Sequence, residues 1–300
     1  MLDSVLLALI YGILQGGAYG AIALGLSVIF GVTRVTNFAH GAMLMLSTFL
    51  YYELFTRFGI DPYIGILFVT PVLYLLGMAT QRFLITPLLK KERGTTQDPA
   101  SLLLITLGLG YAISNLFMMI YGSDYKTIPT AASKAYLTVE VGDFLFTTQW
   151  ARVIAFLAAF IIGFALWFII NKTELGKKIR AVSQNRDAAA ICGVDVYKTY
   201  SVAFGLGIAA VAVAGACLSE YYFVQPQVGT LFGTKSFLIV VLGGLGSIPG
   251  AILGGLIFGI VESVGAQFIT SSASSMLTFI LFMIMLFIRP SGLLGKGGKV

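Results

Sequence analysis

The chain has 300 residues, of which 58% are hydrophobic and only 11% are charged, and its mean hydropathy is +0.93. A soluble protein of this composition could not cover its surface with polar groups, so the values exclude a soluble enzyme and predict an integral membrane protein. The formal net charge is +6. The basic residues cluster between apolar segments, as in cytoplasmic loops of membrane proteins, so we exclude nucleic-acid binding.

The apolar segments predict an all-α, polytopic membrane protein with about eight spans, folded as a single transmembrane domain over residues 1–300. Each span needs about 20 apolar residues, which leaves little length for soluble structure. Cys192 lies in a basic loop and Cys217 in an apolar segment, so both are predicted to be free thiols. The first apolar segment lacks the basic start of a cleaved signal peptide and is predicted to be a retained span.

The first span is predicted at about residues 4–30. Gly12, Gly16 and Gly20 recur in it at intervals of four residues. Such a ridge of small residues lets another helix approach closely. The first span is therefore predicted to be an interior, packed helix.

A polar segment at residues 33–41 separates this span from the second, predicted at about residues 38–55. It is either a tight turn at the membrane interface or a break inside the membrane. Irregular backbone inside a bilayer is tolerated only beside protein or an aqueous cavity, so a break would mark a transport path. The residues predicted to line that path here are Asn37, Phe38, Ala39, His40 and Gly41.

His40 is the only histidine in the chain. No carboxylate lies near it in sequence, so a proton relay or a metal site is weakly supported and a packing role is the better interpretation. We expect no metal or cofactor to be bound by this chain.

The third span is predicted at about residues 62–80, beginning with Pro62 in a favourable first-turn position. A basic loop follows and is predicted to be cytoplasmic. Its charged residues are Arg82, Lys90, Lys91 and Arg93 against Glu92 and Asp98. The fourth span, about residues 101–120, leads out to an extracytoplasmic loop at residues 121–149, where alternation at residues 136–141 predicts a small hairpin. This loop is either a plain solvated connection or part of a landing surface for an extracytoplasmic partner.

The fifth span, about residues 151–170, returns to a polar loop at residues 172–198. This loop carries six Lys and Arg against three Asp and Glu, so it is predicted to be cytoplasmic. Its apolar residues recur at helical spacing and predict one short amphipathic helix that ends at Gly193. Those apolar residues are Ile179, Val182, Ala189 and Ile191. A loop this long with an apolar face of its own is expected to dock onto a partner.

The sixth span is predicted at about residues 199–222, and Lys235 after it is interpreted as an interfacial residue that extends its ammonium group to water. The following apolar segment is too long for one span. We predict a hairpin of two short segments that turns at residues 246–250 on the cytoplasmic side. A last span at about residues 276–288 delivers a basic tail to the cytoplasm, which places the N-terminus outside. The tail carries Arg289, Lys296 and Lys299.

The interruptions at residues 34–41 and 243–250 occupy comparable places in the two halves of the chain. A pair of Gly/Pro-interrupted segments in corresponding halves commonly marks a transport site at a repeat interface. Gly246 and Pro249 are therefore added to the predicted path. The same glycines could instead serve helix packing alone.

Three stretches resemble one family. LGKKIRAVSQNRDAAAICGV is similar to the coupling segment of ABC-importer permeases of the branched-chain amino-acid (LivH-type) family. GLSVIFGVTRVTNFAHGAMLML and VVLGGLGSIPGAILGGLIFGIVE agree with the same family and stand in the expected order. By this resemblance the coupling segment docks an ATPase. The residues at its familiar positions are Gly176, Arg180, Ala181, Asn185, Ala189 and Gly193.

The resemblance implies the permease subunit of an ATP-driven importer in the bacterial inner membrane. Its expected partners are a related second permease subunit (LivM-type), two ATPase subunits that hold ATP and Mg²⁺, and an extracytoplasmic solute-binding protein. The expected cargo is branched-chain amino acids, with urea or short amides as the alternative.

Two other classes are weighed on the residues alone. A proton-coupled secondary transporter usually needs carboxylates within spans, and the candidates Glu220 and Glu262 lie near predicted outer ends. A channel would need a charged or carbonyl filter, which the sequence does not indicate. The chain has no GxxxxGK[ST] motif, so it is not predicted to hydrolyse ATP itself. A helix docked between spans is the feature that an importer needs.

Overall fold

A computed structural model describes residues 2–91, 99–141 and 144–295. Helices dominate these ranges, as the sequence predicts. They are α1 (Leu2–Thr33), α2 (His40–Phe58), α3 (Pro62–Thr80), α4 (Thr86–Lys91), α5 (Pro99–Tyr121), α6 (Ala131–Lys134), α7 (Trp150–Lys172), α8 (Glu174–Gln184), α9 (Arg186–Ile191), α10 (Val196–Ser219), α11 (Gln227–Gly243), α12 (Ile248–Phe268) and α13 (Ser271–Ile288). The charged positions Glu92, Arg93, Asp98, Lys296 and Lys299 lie outside the described residues.

Six of the described helices are long and apolar enough to cross a membrane. They are Ser4–Thr33, Pro62–Lys90, Ala100–Tyr121, Trp150–Lys172, Val196–Ser219 and Ile248–Phe268. The helices α11 and α13 are shorter but also apolar. The chain is therefore a multi-pass helical membrane protein.

The third crossing is longer than predicted. A π-helical turn at Gln81–Ile85 joins α3 directly to α4, so Arg82 and Lys90 belong to a helix and not to a loop. A π-helical turn takes in one extra residue and keeps the chain helical.

The two ends of the helical bundle carry different structures. At the end that we call the hairpin end, β1 (Tyr136–Val141) pairs antiparallel with β2 (Phe144–Gln149), which confirms the predicted hairpin. There the Tyr11 hydroxyl donates a hydrogen bond to the Thr147 carbonyl at 2.5 Å. At the opposite end, which we call the basic end, α8 and α9 lie against the ends of α1, α7 and α10. The described chain begins at the hairpin end and finishes at the basic end, where Leu294 N–H bonds the Gly243 carbonyl at 2.9 Å.

Helix α1 packs along α12 with little more than backbone between them. A β-carbon on Gly16 would lie 2.7 Å from the Gly255 carbonyl oxygen, and one on Gly255 would lie 2.5 Å from the Gly20 nitrogen. Only glycine fits at such an approach, so the predicted small-residue ridge is confirmed as a helix-packing surface. With α10, these helices form the buried centre of the bundle.

The C-terminal hairpin differs from the prediction in one respect. It does turn between α11 and α12, at residues 244–247, but α12 has 21 residues and reaches the length of a full span. The prediction of two short segments is therefore wrong for the second segment. Its glycines had suggested an interruption, whereas they serve close packing against α1 and α11.

Lys235 is not an interfacial residue. Its ammonium nitrogen lies 2.7 Å from Oε1 of Glu262 and 2.8 Å from the Tyr19 hydroxyl, and its side chain is 14% exposed. The predicted extension toward water is wrong, because a carboxylate from α12 partners the ammonium group inside the bundle. This ion pair ties α1, α11 and α12 together.

Glu220 lies just past the end of α10 at the hairpin end and is 3% exposed. The Thr130 hydroxyl donates to its Oε2, and Oε1 has no partner in the part of the chain that is described. Burial raises the pKa of the Glu220 carboxyl from 4.5 to about 7, and nearby Asp61 adds to the rise.

Replacing Gly255 by Ala should lower the apparent Tm of the purified protein in detergent, because the added methyl group would meet α1 backbone. Gly108→Ala is the matched control, since a β-carbon on Gly108 meets nothing within 4 Å and alanine favours a helix by about 1 kcal/mol. Equal effects of the two substitutions on Tm would contradict the packing account.

Glu220→Gln should make the protein more stable at pH 8, by about 2 °C or more in apparent Tm. The raised pKa means that folding opposes ionisation of the carboxyl group. The contribution of the protonated carboxyl to stability is therefore fully present below pH 4.5 and is lost as the pH rises through about 7. The glutamine variant should lose that part of the pH dependence. Glu174→Gln, at an exposed carboxylate beside Lys177, is the control and should keep it. Parallel pH profiles for wild type and Glu220→Gln would rule out the assignment.

Candidate functional site: a cavity at the start of helix α2 and the exposed α8–α9 loop

The break after α1 lies inside the bundle. Arg34 has a φ of +54°, a left-handed conformation that turns the chain back, and α2 begins only at His40. The His40 Nε2 atom lies 3.0 Å from the carbonyl oxygen of Ile22. Ile22 precedes the end of α1 by 11 residues, or about 16 Å of helix, so α2 starts beside the middle of α1 and not beside its end. The start of α2 is therefore enclosed by the bundle instead of lying at its end.

The imidazole of His40 joins α2 to α1. It is 1% exposed, and because a carbonyl can only accept, Nε2 carries the proton and donates to Ile22. The Nδ1 atom has no partner among the described residues. This arrangement fits the packing role that the sequence favours.

A cavity of about 220 Å³ opens beside the start of α2. It lies between that start, α1 at Leu26, the middle of α5, and α11 from its first turn to Phe237. The residues that line it are Leu26, Thr36, Asn37, Phe38, His40, Gly41, Ala42, Leu107, Gly110, Tyr111, Ser114, Gly229, Thr230, Gly233, Thr234 and Phe237. Of the predicted path residues 37–41, only Ala39 is missing from this wall, since it is fully buried next to Gly110.

Sequence reasoning missed the α5 and α11 walls of this cavity. Gly110, Ser114 and Thr234 lie in long apolar segments, where isolated small and hydroxyl residues usually serve helix packing. The one available signal was the repeated Gly229 and Gly233. A β-carbon on Gly41 would lie 2.0 Å from the Gly229 carbonyl oxygen, so backbone rather than side chains closes this side.

The first turn of α2 has unused hydrogen-bond donors. The Asn37 Oδ1 atom accepts from the Ala39 N–H at 3.1 Å, but Asn37 Nδ2 has no partner in the described chain. No side chain caps the helix, and the N–H groups of Gly41 and Ala42 also lack a partner there. Three residues that line the cavity, Asn37, Gly41 and Ala42, thus carry donors without acceptors in the described chain.

Gly246 and Pro249 lie elsewhere. They line a second cavity, of about 960 Å³, at the basic end, together with Arg34 and Arg180. A β-carbon on Gly31, in the last turns of α1, would lie 2.9 Å from the Gly246 Cα atom. The structure therefore does not bring the two predicted halves of the path into one cavity.

The polar loop after α7 folds as two helices and not as the single one predicted. Asn185 adopts an extended conformation, with φ −151° and ψ 107°, and its Oδ1 accepts from the Asp187 and Ala188 N–H groups at 3.0 Å. Asparagine in this position starts a new helix, α9, and interrupts the old one. Gly193 then ends α9 with a φ of +82°.

Helix α8 is fixed firmly to the end of α7. A β-carbon on Gly176 would lie 2.1 Å from the Ile170 carbonyl oxygen, and the Arg180 guanidinium donates to the same carbonyl. The side chains of Ile179 and Val182, also in α8, are buried. Because Gly176 and Arg180 face α7, they anchor the loop.

The docking residues predicted in this loop separate into two groups. Gly176, Arg180 and Ala189 face the protein, and Ala189 is only 5% exposed. Ala181, Asn185 and Gly193 are exposed.

Ile191 was predicted to share the apolar face of a single amphipathic helix with Ile179, Val182 and Ala189, and this was wrong. It is 88% exposed, because the restart at Asn185 rotates the last turn outward. Cys192 beside it is also exposed, whereas Cys217 is buried in α10, and neither forms a disulfide in the structure. Ile191, at the tip of α9, is thus the most exposed large apolar side chain among the described residues of this loop.

Relatives match the chain over nearly its full length. BraD of Pseudomonas aeruginosa, a high-affinity branched-chain amino acid transport system permease protein, is 28% identical over 300 residues, covering 96% of this chain and 95% of BraD. LivH of Escherichia coli K12 bears the same description and is 25% identical, covering 95% of this chain and 94% of LivH. A probable branched-chain amino acid transport permease, LivH of Methanocaldococcus jannaschii, is 29% identical, covering 93% and 89%.

Among solved structures, PsaBC from Streptococcus pneumoniae in complex with Fab is similar over 97% of this chain and 92% of its own. Its sequence identity is 16% and its TM-score 0.40, a likeness too weak to carry an argument about the fold. The family model described as "Branched-chain amino acid transport system / permease component" matches residues 8–288. Since that match spans nearly the whole chain, including the cavity at the start of α2 and the α8–α9 loop, the protein belongs to the branched-chain amino acid transport system permease family.

Proposed function

We propose that this chain is the membrane-spanning permease of an ATP-driven importer of branched-chain amino acids. The observation that carries the proposal is the near full-length match to permeases with that named cargo. The cavity at the start of α2 supports it, because backbone that is irregular within a bundle needs protein or water beside it. The apolar residues Phe38, Leu107 and Phe237 in its wall suit an aliphatic side chain.

The importer would contain this chain, a related second permease subunit, two ATPase subunits and an extracytoplasmic solute-binding protein. ATP and Mg²⁺ would be held by the ATPase subunits. The exposed surface of helix α5 is the evidence for a second permease subunit beside the cavity. Its apolar side chains Tyr111, Leu116 and Met119 are largely uncovered in this chain. A pore between two subunits would then include the open side of the cavity.

The assembly would lie in the cytoplasmic membrane of a bacterium, with the basic end of the bundle inside the cell. The net positive loop at residues 172–198 supports this orientation, since Lys and Arg are retained on the cytoplasmic side. The described C-terminal residues at the basic end would then be cytoplasmic, and the β-hairpin would face the solute-binding protein.

ATP hydrolysis would act on the path through α8 and α9. The tip of α9 would dock the ATPase, and α8 would pass its movement on. Two contacts support this role: Arg180 binds the end of α7, and the Arg34 guanidinium reaches the Ser183 carbonyl at 3.5 Å. A displacement of α8 would therefore reach the end of α1 and the break that follows it.

Ile191→Glu should separate the ATPase from the permease. The residue is exposed and contributes little to folding, so insertion and stability should be unchanged while co-purification of the ATPase falls by at least tenfold. A buried apolar anchor at an interface contributes about 2 kcal/mol or more, which corresponds to that loss. Ile269→Glu, at an exposed isoleucine of the hairpin end, is the control. Normal co-purification of the ATPase with Ile191→Glu would refute docking at this tip.

Ser114→Trp should block uptake of leucine by filling the cavity, while assembly and ATPase binding remain normal. Ile161→Trp adds the same side chain at an exposed position of α7, which does not line the cavity, and should transport. The measurement is uptake of labelled L-leucine by proteoliposomes that hold the full complex with its binding protein. Unimpaired uptake by an assembled Ser114→Trp complex would remove this cavity from the path, and import of urea instead of leucine by the wild type would overturn the cargo.

A further inference from the structure

We propose that the start of α2 recognises the carboxylate group of the cargo as it passes. This inference rests on the proposed import function and deepens it. The path would select cargo that bears an α-carboxylate, so amino acids would pass and neutral amides would not.

The first observation is the position of the helix end. A helix N-terminus has N–H groups with no partner in the helix and carries about half a positive charge. Such ends normally face water or a capping side chain. Here the end lies inside the bundle, no side chain caps it, and the N–H groups of Gly41 and Ala42 have no partner in the described chain. An anion is the ligand that this end would attract.

The second observation is Asn37, which lines the cavity and is 2% exposed. Its Oδ1 atom is fixed by the bond from the Ala39 N–H, so the other arm of the amide is the NH₂ donor. That donor has no partner among the described residues. Leaving a buried donor unpaired is costly, and an acceptor supplied by the cargo would remove the cost.

A carboxylate matches both features because it accepts hydrogen bonds through two oxygens and donates none. One oxygen would accept from Asn37 Nδ2 and the other from the N–H groups of α2. The rings of Phe38 and Phe237, whose centroids are 5.7 Å apart, form an apolar side of the same cavity for the aliphatic part of the cargo.

The site is built for weak binding. Among the described residues that line the cavity there is no Lys, Arg, Asp or Glu. A carboxylate would therefore meet a helix end and an amide but no opposite formal charge. Weak binding suits a path, because cargo that binds tightly leaves slowly.

Asn37→Asp is the first test. The variant has the same shape and keeps the oxygen that Ala39 N–H bonds, but it replaces the free donor by a negative charge that repels a carboxylate. We expect L-leucine uptake by the reconstituted complex to fall by about tenfold or more, with normal stimulation of ATP hydrolysis by the loaded binding protein. Asn171→Asp is the matched control, since Asn171 is exposed near the basic end and bonds the Trp167 carbonyl of its own helix.

The outcomes separate the two proposals. A wild-type complex that imports no leucine would count against the import function itself. Equal leucine import by wild type and Asn37→Asp would overturn carboxylate recognition alone.

A second measurement does not depend on how well Asn37→Asp folds. With Cys192→Ser and Cys217→Ala as background, Thr36→Cys places a single thiol beside the start of α2, and Ser114→Cys places one on the opposite wall of the cavity. Each thiol is treated with a negatively charged sulfonatoethyl and a positively charged trimethylammonioethyl methanethiosulfonate. Because the field of a helix end acts within its first turn, the ratio of negative to positive reaction rates should be about tenfold higher at Thr36→Cys. Equal ratios at the two thiols would overturn the proposal.

Discussion

Every backbone N–H and C=O group inside a bilayer must find its partner within the protein or in a water-filled cavity, and the centre of this structure depends on that requirement. The chain leaves helical geometry after Thr33 and resumes it at His40, in the middle of the bundle. Neighbouring helices therefore have to come close enough to exclude lipid from this backbone. They do so through glycines, with Gly41 against Gly229 on one side and Gly110 against Ala39 on the other. What is left unpaired faces a small cavity.

The bundle has one part that is closely packed and one part whose apolar surface is uncovered. Helices α10 and α12 each pack against α1 through small residues, and the partly buried Lys235 and Glu262 connect α11 to α12. Helix α5 has much of its apolar surface uncovered and forms the opposite wall of the cavity. A movement of α5 would widen the cavity without disturbing the central packing. The cavity therefore lies at the boundary between the two parts.

Local patterns in the sequence predicted much of this fold. The apolar segments indicate the spans, the alternation at residues 136–141 indicates the hairpin, and Gly12, Gly16 and Gly20 indicate the α1 packing surface, because each of these features depends on spacing along the chain. The polar residues at 33–41 likewise indicate the break.

The predictions that were wrong or missing concern contacts between residues distant in the sequence, or one position where a side chain competes for backbone hydrogen bonds. Lys235 and Glu262 are 27 residues apart, and no local pattern in either segment predicts that they pair. Glycines 110, 229 and 233 meet the start of α2 only in the folded bundle. In the α8–α9 loop the average helical spacing was correct, but the Asn185 side chain bonds the backbone ahead of it and restarts the helix, which a count of apolar positions cannot register.

The two cysteines give the native chain a practical property. Cys192 projects at the tip of α9, next to Ile191, whereas Cys217 is enclosed in α10 and only 4% exposed. Because modification of a thiol requires access to it, a maleimide dye or nitroxide added to the unaltered protein would attach at one place. That place adjoins the surface proposed to meet the ATPase, so fluorescence or electron spin resonance would report directly on this loop during turnover, with no cysteine introduced or removed.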